Sequence, residues 1–74
     1  MDERTLLDGL IRKGLPVNFH LTEGRDILAI PVAHDANAII VRGSGAGDHA
    51  ILYKRAIAAI TPSGGIHVNP EGVL

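Results

Sequence analysis

Two adjacent cations, Lys54 and Arg55, follow Tyr53 near the end of the chain. A guanidinium donates to phosphate through two parallel N–H groups, and an ammonium does so as a point charge. The plainer alternative is that the pair ends an ordinary surface strand. The four histidines, His20, His34, His49 and His67, recur at no metal-site spacing, and neither HxH nor HExxH is present. No metal site and no cofactor is therefore expected. The glycine-rich Gly43-Ser44-Gly45-Ala46-Gly47 lacks the Lys-Ser/Thr of a phosphate loop and does not open a helix. No nucleophile, base and orienting partner can be named together, so a binding protein is expected rather than an enzyme.

Composition narrows the scaffold that must hold these residues. A 74-residue chain makes one small domain, and a domain of this size buries only about 60% of the surface exposed by its unfolded chain. With no cysteine, disulfides and thiolate metal sites are excluded as staples, which leaves self-association as a source of stability. Aromatics make up 3% of the residues, while Ile, Val, Leu and Ala abound. A core of small branched side chains suits a compact sheet or barrel. The formal net charge is −1, with seven Lys/Arg against eight Asp/Glu, so nucleic acid is not held by bulk electrostatics. In a symmetric ring, however, one basic residue per subunit becomes a basic collar. No apolar run approaches the ~20 residues of a membrane span, and Met1-Asp2-Glu3-Arg4 is too polar for a signal peptide. The expectation is a cytoplasmic protein with no membrane contact.

The elements follow from local patterns. Leu6, Leu7, Leu10 and Ile11 share one face of a helix over 3–13, with Asp2 as N-cap, Arg12 and Lys13 at the C-terminal end, and Gly14 in the left-handed position beyond it. Leu15 is placed to pack back on Leu10. Val17, Phe19 and Leu21 alternate with polar residues as a half-buried strand, and Glu23-Gly24 turns the chain with a positive φ at the glycine. A second strand over 25–33 contains Pro31, which predicts a bulge or bend. His34-Asp35-Ala36-Asn37 forms a turn in which Asp35 accepts from backbone amides ahead of it. Ala38 to Arg42 is apolar enough to predict a third strand that is buried on both sides or central. Residues 49–55 and 56–61 make a fourth and a fifth strand, with Ile51, Tyr53 and Ile57 as the packing residues. Their junction is too tight for a hairpin between them, so each is expected to pair elsewhere.

These residues carry a resemblance. Tyr53-Lys54-Arg55 followed by an apolar run and Thr61-Pro62-Ser63, with Leu6-Leu7, Leu10-Ile11, Pro16-Val17, Leu21, Gly24 and Asp35 upstream, resembles Hfq, the bacterial Sm-like RNA chaperone family. The resemblance covers about residues 3–63. It implies a mainly β fold: a small Sm-like barrel with an N-terminal helix and a strongly bent five-stranded antiparallel sheet. The domain would span 1–63, followed by a flexible tail over 64–74. Subunits would form a ring, most simply a homohexamer, by pairing the fourth strand of one with the fifth of the next.

As in that family, single-stranded RNA would be bound at the pore by Asn37, Tyr53, Lys54 and Arg55, in the service of post-transcriptional regulation. On the opposite face His20, Gly24, Arg25, Leu28 and Ala59 match positions that read purine-rich RNA, and Arg12 and Lys13 would lie on the rim. The chain departs from the family pattern at several points. Arg55 replaces a histidine, Ala36-Asn37 replaces a glutamine and a stacking aromatic, Glu3 falls near a glutamine, and the loop 43–48 looks about three residues long. Two alternatives are a ring with a structural or protein-binding role and no ordinary RNA recognition, and a barrel that binds mononucleotides.

Overall fold

The computed structural model describes residues 2–43 and 47–63. The tail expected over 64–74, and the Ser44-Gly45-Ala46 part of the expected loop insertion, lie outside the described residues. The elements run in the order α1 (Glu3–Lys13), β1 (Val17–Leu21), β2 (Asp26–His34), β3 (Ala38–Arg42), β4 (His49–Tyr53), a 3₁₀ turn (Lys54–Ala56) and β5 (Ile57–Pro62). No helix among the described residues is long and apolar enough to cross a membrane.

Helix α1 is fixed at both ends by local chemistry. The Asp2 carboxylate accepts from the Thr5 amide at 2.9 Å, satisfying one of the first-turn donors that no helix can pair internally. At the other end Gly14 sits at φ 67°, and its amide donates to the carbonyls of Leu10 and Ile11. A left-handed residue here lets the last carbonyls find partners. Glu3 in the first turn and Arg12 and Lys13 in the last complement the helix dipole. The helix lies against β2 and buries Leu7. Leu15, just beyond the cap, is 61% exposed.

All five strands form one antiparallel sheet in the order β4-β3-β2-β1-β5. Strand β2 makes the bend. Its first half pairs with β1, from His20↔Asp26 to Val17↔Ala29, and its second half pairs with β3, from Ile30↔Arg42 to His34↔Ile39. The register shifts between Pro31 and Ala33, leaving Val32 as the extra residue. A bulge sharpens twist and bends a strand, so Pro31 sits where the ladder is interrupted in any case. The sheet wraps around Phe19, with no exposed surface, and Ile39, with 1% exposed. Leu7, Val17, Ala29 and Val41 complete the buried cluster, and Leu52, Ile57 and Ile60 pack against it.

The ends of the sheet depart from expectation. Strand β4 stops at Tyr53, because Lys54, Arg55 and Ala56 form a 3₁₀ turn; both basic residues therefore stand on a corner. Strand β3 lies inside the sheet, paired with β2 and β4, so of its two alternatives the central position holds and burial of both faces does not: Ile39 and Val41 point inward while Ile40 is exposed. Along β4 the inward residue is Leu52; Ile51 is 58% and Tyr53 53% exposed. Strands β4 and β5 do avoid one another, as expected, and occupy the two ends of the sheet. Among the described residues their outer edges find no partner strand, and an exposed edge of this kind invites another strand.

Candidate functional site

The 3₁₀ corner is positioned by the turn between β2 and β3. In that turn the Asp35 carboxylate accepts from the amides of Asn37 and Ala38 at 2.8 and 2.9 Å. Those two backbone donors hold the Asp35 carboxyl below the usual carboxylate range, with Lys54 and His34 adding smaller charge effects. The carbonyl of Asn37 then accepts from the Lys54 amide at 2.8 Å. Two segments distant in sequence thus meet, and a cavity of about 370 Å³ opens between Ala36, Asn37, Tyr53, Lys54 and Arg55. All four residues assigned by resemblance to the pore side line this one cavity.

Their charges are arranged unequally. The Arg55 guanidinium lies over the Tyr53 ring, 5.5 Å from its centroid, within cation–π range. Among the described residues no carboxylate pairs with Arg55. Lys54 differs: its side chain is 17% exposed, and Nζ donates to the Glu3 carboxylate at 3.1 Å. Lys54 also faces a second cavity of about 210 Å³, between α1 and β5, whose remaining walls include Leu7, Ile39, Ile57 and Ile60. Lys54 therefore lines both cavities, and Glu3 lines the second with it.

The positions matched to the opposite face are more engaged within the chain than their sequence suggests. His20 Nδ1 lies 2.8 Å from Asp26 Oδ1, and Nε2 lies 2.7 Å from Thr61 Oγ1. A neutral imidazole satisfies both by donating through Nδ1 and accepting the hydroxyl proton at Nε2. This ring bridges β1, β2 and β5, and both nitrogens are occupied. Arg25, at the hairpin, donates from Nε to Glu23 at 2.6 Å. Gly24 has φ 106°, Leu28 is 55% exposed, and Ala59 is exposed on β5. Arg25 also shares a cleft with Ile51 and Tyr53, so the hairpin approaches the Tyr53 side of β4. Arg12 and Lys13 are exposed at the end of α1.

Two contacts have no signature in the sequence. The Lys54–Glu3 pair joins residues 51 apart, and His34 Nε2 donates to Asp8 Oδ1 at 2.8 Å across 26 residues. Residue type is their only sequence signal, and it selects no partner. Together they pin α1 to the turn and the corner that form the cavity.

No protein-family profile matches the chain, and no curated protein matches it. Among solved structures it is similar to the pleiotropic translational regulator Hfq, solved at 1.55 Å, with a TM-score of 0.73 and 17% identity over 81% of this chain and 88% of that one. It is also similar to an Hfq protein from Anabaena sp., with a TM-score of 0.68 and 25% identity over 80% of this chain and 92% of that one. The chain thus has the Hfq-like Sm fold.

Proposed function

We propose that this chain assembles into a ring, most simply a homohexamer, that binds short single-stranded RNA at the corner formed by Asn37, Tyr53, Lys54 and Arg55. The observation that carries this reading is their convergence on one cavity at the junction of β4 and β5. That junction separates the two open sheet edges, so a strand pairing between copies would bring one such corner from every subunit to a common axis. Arg55 would meet phosphate, while Tyr53 and Asn37 offer a ring face and an amide to bases. The likeness to a translational regulator supports a role in post-transcriptional control in the cytoplasm. The second face, around Gly24, Arg25 and Leu28, takes a lesser part, because His20 is committed to Asp26 and Thr61.

One observation favours the alternative of a ring without ordinary RNA recognition: Lys54 is already paired with Glu3. Fluorescence anisotropy separates the two. Uridine-rich, adenine-rich and mixed-sequence RNAs of equal length are titrated at two salt concentrations, with native mass spectrometry on the same protein. Salt-sensitive binding by an oligomer supports the proposal. An intact oligomer that binds none of the three RNAs supports the alternative, and a monomer rules out both.

A further inference from the structure

The ion pair that separates Lys54 from Arg55 also defines a hydrogen-bonding pattern. Lys54 Nζ has three N–H groups and gives one to Glu3, leaving donors to spare. Glu3 is 71% exposed and, as a carboxylate, only accepts. A ligand edge arriving here meets a donor beside an acceptor. Glu3 and Lys54 also line the slot between α1 and β5, whose other walls include Leu7, Ile39, Ile57 and Ile60. Apolar walls with a few convergent polar groups suit a flat heterocycle.

We propose that Glu3 and Lys54 read the Watson–Crick edge of guanine. This rests on the RNA-binding reading above and names the base taken there. Guanine presents one acceptor, O6, followed by two donors, N1–H and the N2 amino group. Lys54 would donate to O6, and the Glu3 carboxylate would accept from N1–H and N2–H, a charge-assisted bidentate contact. Uracil places a carbonyl on each side of its single N3–H, so one carbonyl oxygen faces a Glu3 oxygen. Adenine and cytosine offer Glu3 one exocyclic donor and no second one beside it. A phosphate is repelled by Glu3 and goes to Arg55, whose guanidinium pairs with no carboxylate among the described residues. The corner therefore divides its labour: Arg55 on Tyr53 takes backbone, and Lys54 with Glu3 selects the base.

Anisotropy with the full chain tests this. Short labelled RNAs of one length and one background sequence carry a single guanine, inosine, 7-deazaguanine or uracil. The expected result is about tenfold tighter binding of the guanine strand than of the uracil strand, the scale of one good bidentate base contact. The 7-deazaguanine strand should bind like guanine, since its Watson–Crick edge is unchanged, and inosine should lose most of the gain. Glu3→Gln, which adds an amide donor at an exposed helical site, should bring the guanine-to-uracil ratio close to one. Equal affinity for guanine and uracil, or a ratio unchanged in Glu3→Gln, would overturn the inference while leaving RNA binding intact. If no RNA binds, the RNA-binding reading falls, and titration of guanosine and uridine monophosphates with NMR detection decides the rest. Saturable shifts with the guanosine compound alone keep base selection by Glu3 and Lys54; none, or equal shifts with both, overturn it.

Discussion

The Lys54 amide donates to the Asn37 carbonyl at 2.8 Å, and this one bond makes the β2–β3 turn and the β4–β5 corner a single unit. On the turn side the unit is maintained by Asp35, whose carboxylate accepts the amides of Asn37 and Ala38. Loss of Asp35 would release the turn first and the corner with it.

Asp35→Ala should therefore lower the melting temperature at pH 7. Because the Asp35 carboxyl is held below its usual value of 3.8 by the amides of Asn37 and Ala38, its contribution to stability is present above that value and is lost as pH falls through the lower folded-state value. Melts followed by circular dichroism at pH 7 and at about pH 2–3 should show the gap between wild type and variant narrowing in acid. A gap independent of pH would show that the carboxylate does not organise the turn.

Phe19 has no exposed surface and is the largest side chain in the core. Phe19→Ala should cost about 3–5 kcal/mol, a large part of what a domain of this size has. Urea denaturation should find the variant largely unfolded, or with a midpoint far below that of wild type. A loss under about 1 kcal/mol, the range of a well-tolerated core exchange, would show that the two halves of the bent sheet do not close on this ring.

What could be read from the sequence was what neighbours along the chain determine. The cap at Asp2, the left-handed glycines at 14 and 24, the Asp35 turn and the break at Pro31 are each settled within a few residues, and the structure has all of them. The residues lining the corner were also legible, because Tyr53, Lys54 and Arg55 are consecutive. The face each residue takes at the sheet's ends was not. Alternation told that Ile51 and Leu52 lie on opposite faces of β4 but not which one is inward, and a one-residue difference reverses the answer. Nor could the sequence show that Glu3 reaches Lys54 or that His20 joins three strands, since those contacts exist only once the sheet has bent.

Ile51 is 58% exposed on the edge strand β4, where packing within its own subunit does not need it. Ile51→Asp should leave the β-sheet circular dichroism signal in place while disrupting assembly, because a desolvated carboxylate in a strand-pairing interface is costly. Native mass spectrometry should find wild type as a closed oligomer and the variant as a monomer. An oligomer of unchanged mass would place the interface away from β4.

Whether RNA is held at the corner is tested most directly by the salt dependence of binding to wild type, Lys54→Ala and Arg55→Ala. All three proteins should keep the same assembly and similar melting temperatures. Each phosphate contact on a single strand contributes about 0.7 to the slope of log affinity against log salt. Arg55→Ala should flatten that slope by at least this amount and weaken binding. Lys54→Ala should weaken binding with a smaller change of slope, since its ammonium is paired with Glu3 and is proposed to meet a base rather than a phosphate. Affinity and slope unchanged in both variants, with the oligomer intact, would contradict the account and place any RNA site elsewhere on the ring.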